Sequence, residues 1–146
     1  MPGGRGSLEE AWHEVRRHAV QTIVCLAGLE EIRATSPSYA AALDANSVPC
    51  AVESFPVPDF GVPADRGAFW MLASSIATQL AAGRRVLVHC GAGIGRTGML
   101  TTCVLLALGE SLAEAERAVA AAGAHPETTE QRRLVSWCAT RALRPK

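Results

Sequence analysis

The chain has 146 residues, 49% of them apolar, and its 14 basic and 14 acidic residues give a formal net charge of zero. This length and composition suit one folded domain with a buried core. Zero net charge gives no electrostatic reason to expect a nucleic-acid or a membrane partner. No apolar run of about 18 residues is present, so the sequence predicts no transmembrane helix.

Five cysteines are scattered along the chain, with no Cys-x-x-Cys pair and no zinc-binding spacing. This pattern predicts a reducing, cytoplasmic location, mostly buried thiols, no metal site and no cofactor. Residues 1–7 have no apolar segment behind their arginine, so no signal peptide is predicted. We expect residues 1–7 to form a flexible tail ahead of a single domain at 8–146.

The first half of the chain alternates between helical and strand patterns. Residues 8–19 have helical spacing of apolar side chains, and residues 21–26 form a short β-branched run typical of a buried strand. Residues 30–46 predict one or two helices broken near Pro37, because proline cannot continue a helix. Residues 50–55 then predict a second strand.

The second half repeats this alternation. An amphipathic helix is predicted at 64–82, a third strand at 85–89 and a nearly all-apolar, buried helix from about 97 to 108. Two capping boxes predict the starts of the last two helices, Ser111 with Glu114 and Thr128 with Gln131. Strands that alternate with helices indicate an α/β fold around a mainly parallel sheet.

A cysteine, a glycine-rich loop and an arginine lie between the third strand and the following helix. The sequence there reads His89-Cys90-Gly91-Ala92-Gly93-Ile94-Gly95-Arg96-Thr97-Gly98. Glycines let the backbone approach an anion, and N–H groups at a helix N-terminus bind phosphate. The same field lowers the pKa of a thiol and so favours the nucleophilic thiolate. We therefore predict a phosphate cradle formed by residues 91–96, with Cys90 as the nucleophile.

The spacing of Cys90 and Arg96 lets both side chains face one phosphate. The guanidinium can bind two phosphate oxygens, and we expect the thiolate to attack phosphorus and form a thiophosphate. Arg96 and the loop amides then stabilise the equatorial oxygens in the transition state. The alternatives are a buried structural cysteine and a surface arginine, although a cation at a helix start opposes the helix dipole.

The segment from His89 to Gly98 resembles the signature of the protein tyrosine phosphatases, His-Cys-x5-Arg-Ser/Thr-Gly. The chain is most similar to the kinase-associated-phosphatase subgroup of compact dual-specificity phosphatases and its bacterial relatives. The resemblance implies a three-layer α/β sandwich and a cysteine-dependent phosphatase. It also implies that the Thr97 hydroxyl bonds the Cys90 sulfur, the alternative being an ordinary N-cap. His89 is expected to hold the loop conformation.

Residues 58–63 (Pro-Asp-Phe-Gly-Val-Pro) resemble the general-acid loop of these phosphatases. Asp59 stands at the acid position, in a stiff proline-rich loop that gives a carboxylate no local structural task. The alternative is a turn aspartate. Residues 125–131 resemble the segment that helps to place the hydrolytic water, with Glu127 and Gln131 as the candidates. Their alternatives are a carboxylate in the first helical turn and the capping box.

The predicted function is hydrolysis of phosphomonoesters on protein side chains, with a phosphoprotein or phosphopeptide as partner. Phosphotyrosine is the first candidate for the substrate residue and phosphoserine or phosphothreonine is the alternative, because the sequence does not establish the preference. The loop interior at 91–95 has no lysine, which disfavours a phosphoinositide; an RNA 5′-phosphate is the other alternative substrate. A non-catalytic phosphoprotein-binding module usually loses the cysteine or the arginine. His89 and the Thr97-Gly98 ending argue against an arsenate reductase or a sulfurtransferase. Some relatives pair the nucleophile with a second cysteine, and Cys25 is the candidate here, with a buried apolar role as the favoured alternative.

Overall fold

The central sheet consists of three parallel strands in a computed structural model that describes residues 1–143. The strands β1 (Thr22–Cys25), β2 (Ala51–Ser54) and β3 (Val86–His89) lie in the order β2-β1-β3. Thr22 pairs with Ala51 on one side and with Val86 on the other. All four residues of β1 are buried, as expected for a central strand. The predicted strands and their parallel arrangement are confirmed.

Seven helices surround the sheet in the described part of the chain: α1 (Leu8–Arg17), α2 (Leu29–Thr35), α3 (Pro37–Asp44), α4 (Arg66–Ala81), α5 (Gly95–Ala107), α6 (Leu112–Ala121) and α7 (Thr129–Ala142). The predicted break near Pro37 is confirmed, because α2 ends before Ser36 and Pro37 begins α3. Both predicted capping boxes are present at the starts of α6 and α7. None of the described helices is long and apolar enough to cross a membrane.

Helices cover both faces of the sheet and form two apolar cores. Successive side chains of a strand point to opposite faces. Val24 accordingly packs in a core with α4, α5, α6 and α7, whereas Cys25 packs with Ile32 of α2 and Tyr39 of α3. The result is the expected three-layer sandwich. The helix α5 is buried, as predicted, and contacts α4, α6, α7 and β3.

The segment that precedes α7 packs closely against the first turn of α5. A Cβ atom at Gly98 would lie 2.6 Å from Cα of His125, which is closer than real side chains approach. Only glycine therefore permits this contact in the first turns of α5. The contact brings residues 125–128 to the same edge of the sheet as residues 90–95, which we call the cysteine loop.

The first residues of the chain lie against the domain. Pro2 is buried, and the amino group of Met1 donates a hydrogen bond to the Gly91 carbonyl at 3.2 Å. Gly3 also lies close to Ser36. Residues 1–3 of the segment predicted to be a flexible tail thus contact the domain, and residues 4–7 are exposed.

Candidate active site

The Cys90 thiol lies between the end of β3 and the start of α5. Its Sγ accepts hydrogen bonds from the Gly93 N–H at 3.3 Å and from the Thr97 hydroxyl at 3.2 Å. Burial disfavours the thiolate, but the hydrogen bonds from Thr97 and Gly93 and the nearby Arg96 charge outweigh burial and lower the pKa of Cys90. Gly93 adopts φ +82°, a conformation that glycine reaches without strain.

Thr97 is not an N-cap. The helix α5 begins at Gly95 with Ile94 as its N-cap residue, which makes no side-chain capping bond. Thr97 therefore lies inside the first turn, and its hydroxyl is directed at the Cys90 sulfur. Of the two roles considered for Thr97, the structure supports the contact with sulfur.

His89 holds the loop from behind. Its Nε2 lies 3.0 Å from the Tyr39 hydroxyl and its Nδ1 lies 3.2 Å from the Cys90 carbonyl oxygen. Because a carbonyl can only accept, Nδ1 carries the proton and Nε2 accepts from Tyr39. Burial lowers the pKa of His89 to about 4, so the ring is neutral near pH 7. This environment is suited to a structural role.

Arg96 is buried, with 2% of its side chain exposed, and it forms a bidentate ion pair with Glu31. The two Nη–Oε distances are both 2.7 Å, and Nη1 also donates to the Val57 carbonyl at 3.1 Å. Hydrogen bonds from Arg96 lower the pKa of Glu31, although burial opposes this shift. Glu31 therefore fixes the plane of the guanidinium beside Cys90.

Glu31 was not identified from the sequence. It lies in the first turn of α2, shortly after β1, while the cysteine loop follows the neighbouring strand β3. The carboxyl ends of adjacent parallel strands meet at one edge of a sheet. The position of Glu31 shortly after β1 therefore indicated that it could lie near the cysteine loop. Gly91 permits the approach, since a Cβ atom there would lie 2.6 Å from Glu31 Oε1.

Asp59 is brought to the same site. Its Oδ1 lies 3.0 Å from Nη2 of Arg96 and accepts the Phe60 N–H at 3.1 Å, and 62% of its side chain is exposed. Gly61 N–H donates to the Pro58 carbonyl at 2.9 Å, and Phe60 takes φ +55°, so the loop forms a tight turn. This turn directs the carboxylate toward Arg96 and leaves Phe60 largely exposed at the pocket.

Gln131 does more than complete its capping box. It is fully buried, and its Oε1 accepts the Glu127 N–H at 2.8 Å and, at 3.4 Å, the Thr128 N–H. Its Nε2 donates to the Gly61 carbonyl at 3.0 Å. Gln131 thus connects the loop that carries Asp59 to the segment that carries Glu127.

A pocket of about 100 Å³ lies where these elements meet. The Glu127 carboxylate occupies the space beside Gly95, where any Cβ atom would collide with it. The pocket is lined by Glu31, Asp59, Phe60, Cys90, Gly91, Ala92, Gly95, Arg96 and Glu127. Cys25 lies behind the loop as a buried free thiol.

The contact of Thr97 with sulfur predicts a change in Cys90 reactivity. In Thr97→Val the thiolate loses its hydroxyl donor, so the pKa of Cys90 rises and alkylation by iodoacetamide near pH 6.5 slows by about threefold or more. The measurement is the alkylation rate against pH. Thr101→Val is the matched control, because its hydroxyl bonds backbone carbonyls and not the sulfur. Equal alkylation profiles for wild type and Thr97→Val would contradict the prediction.

The ion pair with Arg96 predicts a stability change. Glu31→Gln removes the less exposed of the two carboxylates that pair with the buried Arg96 cation, leaving only Asp59. It lowers the free energy of unfolding by about 2–4 kcal/mol in urea titrations. Because the folded-state pKa of Glu31 is lowered, this contribution is complete above the ordinary glutamate pKa and is lost as pH falls through the folded-state value. Glu30→Gln, at an exposed neighbour, is the control. Similar unfolding free energies for the two variants would refute the role of Glu31.

Comparisons with known proteins agree with this geometry. A family model described as "Swiss Army Knife protein, DSP-PTPase phosphatase domain" matches residues 3–146. Cyclin-dependent kinase inhibitor 3 of Rattus norvegicus is 40% identical over 57 residues, which are 39% of this chain and 26% of the relative. The protein of the same name in Mus musculus is 42% identical over 57 residues. The match thus spans about a quarter of the length of these curated relatives, 26% in each case.

Solved structures share the fold. The crystal structure of kinase associated phosphatase (KAP), with its catalytic cysteine replaced by serine, superposes with a TM-score of 0.81 at 20% identity, over 100% of this chain and 86% of that chain. Tk-PTP in its active form gives a TM-score of 0.73 at 26% identity, over 91% of this chain and 86% of that chain. Since the family model covers nearly the whole chain, the protein belongs to the family of the DSP-PTPase phosphatase domain.

Proposed function

We propose that this phosphatase hydrolyses phosphomonoesters on protein side chains, phosphotyrosine above all, through a cysteinyl-phosphate intermediate. The observation that carries the proposal is the meeting of three groups in one small pocket. Cys90 has a lowered pKa, Arg96 is held rigidly beside it, and Asp59 lies 3.0 Å from the guanidinium. These are the nucleophile, the phosphate ligand and the proton donor that the reaction requires.

When the phosphate enters the pocket, it replaces one of the groups that contact Arg96. In the structure both Nη groups are occupied, by Glu31, by the Val57 carbonyl and by Asp59. Of these partners Asp59 is the most exposed, so a phosphate dianion displaces it from Nη2 and leaves the Glu31 contacts in place. The loop then carries Asp59 from the guanidinium toward the leaving oxygen.

The first step forms the S–P bond. The Cys90 thiolate attacks phosphorus, the ester P–O bond breaks, and protonated Asp59 gives its proton to the leaving oxygen. The loop N–H groups, the start of α5 and Arg96 hold the equatorial oxygens. The Thr97 hydroxyl, 3.2 Å from Sγ, stabilises the sulfur as a leaving group in the next step.

The second step hydrolyses the cysteinyl phosphate and regenerates the free enzyme. Asp59, now a carboxylate, takes a proton from water, which attacks phosphorus and breaks the S–P bond. The side-chain oxygen of Gln131 already accepts two backbone N–H groups, and its amide nitrogen already donates to the Gly61 carbonyl. The Glu127 carboxylate lies against the loop at Gly95 and makes no hydrogen bond within residues 1–143. We therefore assign the contact with water to Glu127 and the placement of the surrounding segments to Gln131.

The surroundings of the pocket support an aromatic side chain as substrate. Phe60 lines the pocket beside Asp59 with 60% of its surface exposed, in position to pack against a phenol ring. The carboxylates of Glu31 and Glu127 also line the pocket and would repel additional phosphates on a polyanionic headgroup. The names of the similar proteins, a kinase associated phosphatase and a cyclin-dependent kinase inhibitor, support a phosphoprotein partner.

The roles of Cys90 and Asp59 predict distinct kinetic defects. Cys90→Ser abolishes turnover of aryl phosphates, because serine is not ionised at neutral pH. Asp59→Asn lowers kcat by about 10²–10⁴-fold for phenyl phosphate but far less for aryl phosphates with acidic leaving groups, which need no proton. Asp65→Asn is the matched control, since asparagine caps α4 as aspartate does. Equal loss over all leaving groups, or turnover by Cys90→Ser, would refute the assignment.

The position of Phe60 predicts substrate selectivity. Wild type should hydrolyse a phosphotyrosine peptide with a higher kcat/KM than the matched phosphoserine peptide, and Phe60→Ala should reduce this ratio by about tenfold by raising KM for phosphotyrosine. Phe60→Tyr keeps the ring and should keep the ratio. A ratio that does not change in Phe60→Ala would contradict the proposed preference.

A further inference from the structure

Two arginines stack on one tryptophan outside the active site. The guanidinium carbons of Arg66, the first residue of α4, and Arg141, near the end of α7, lie 4.8 and 4.7 Å from the ring centroid of Trp137. Both distances are within the range of an attractive cation–π contact. Among the described residues, no carboxylate lies within 4.0 Å of either guanidinium, and neither donates a side-chain hydrogen bond.

This arrangement is prepared to bind an anion. Stacking on the indole fixes the plane of each guanidinium while its N–H edge remains available for a bidentate contact with a carboxylate or a phosphate. Two cations on one ring also repel each other, and an anion near both would remove that repulsion. Arg133 lies one helical turn before Trp137, so it adds a third positive charge on the same side of α7.

Trp137 and Arg141 lie farther along α7 than the residue that contacts the acid loop. Gln131 of α7 binds the acid loop at Gly61, and Trp137 follows it by six residues along the helix. At about 1.5 Å per residue, Trp137 is about 9 Å and Arg141 about 15 Å farther along α7. An extended peptide covers about 3.3 Å per residue, so these separations along α7 correspond to the length of about three to five peptide residues.

We propose that Arg66 and Arg141, stacked on Trp137, bind an acidic side chain about three to five residues from the phosphorylated residue of the protein substrate. The anion is the carboxylate of Asp or Glu or a second phosphate, which offer the guanidinium the same oxygens. This inference rests on the proposed function and adds a selectivity that the small catalytic pocket does not supply. The surface selects sequence around the phosphorylated residue, and the pocket selects that residue itself.

The test compares matched phosphotyrosine peptides that carry either Glu or Gln at the third to fifth positions on either side. Binding is measured by fluorescence anisotropy with Cys90→Ser protein, which cannot turn over. We expect Glu peptides to bind about three- to tenfold more tightly at low salt, and salt to reduce the difference. Adding Arg66→Gln with Arg141→Gln removes the preference. Arg117→Gln, which removes an exposed arginine on α6, keeps it.

The outcomes separate this inference from the proposed function. Equal binding of Glu and Gln peptides at low salt, or a preference that persists in the double variant, would overturn the inference. Arg141→Gln alone, with its fold checked by thermal unfolding, replaces the double variant if that protein does not fold. Phosphoserine in place of Glu shows whether carboxylate or phosphate binds more tightly. Failure of the unsubstituted protein to hydrolyse 4-nitrophenyl phosphate would instead refute the proposed function.

Discussion

The end of the molecule that carries the Cys90 pocket depends on one buried charge. Arg96 is 98% removed from solvent, since only 2% of its side chain is exposed, and an unpaired guanidinium there would cost several kcal/mol. Its partners come from two other segments: Glu31 lies after β1, and Val57 and Asp59 lie in the loop after β2, while Arg96 itself follows β3. The contacts that satisfy the Arg96 cation therefore hold together the chain segments that follow all three strands.

The charge balance of the pocket follows from this arrangement. Three carboxylates, those of Glu31, Asp59 and Glu127, line a pocket that contains one guanidinium. The attraction for a phosphate must therefore come largely from loop N–H groups and the start of α5, which supply positive potential without mobile charge. Such donors act over a short range, whereas the carboxylates repel more distant phosphates. The balance favours one phosphate group on an otherwise uncharged side chain.

Local contacts could be predicted from the sequence and distant ones could not. The Cys90 thiol is held by Gly93 and Thr97, which are at most seven residues away, so a short motif contains the whole interaction. The capping boxes are similarly local. By contrast, Glu31 and Arg96 are 65 residues apart and Gln131 and Gly61 are 70 apart. No short sequence pattern reveals these two contacts, because they form only when the parallel strands and α7 bring separate loops together.

Gln131 gives the two halves of the proposed reaction a common support. Its amide holds Gly61, two residues beyond Asp59, and its carbonyl oxygen holds the N–H of Glu127. A displacement of the acid loop from Arg96 therefore acts on the segment that carries Glu127 through one buried side chain. Because this amide is fully buried, breaking either bond would leave polar groups without water, which costs about 1–3 kcal/mol. Movements that keep both bonds are favoured, so we expect the Asp59 loop and the Glu127 segment to move together in both steps of the proposed reaction.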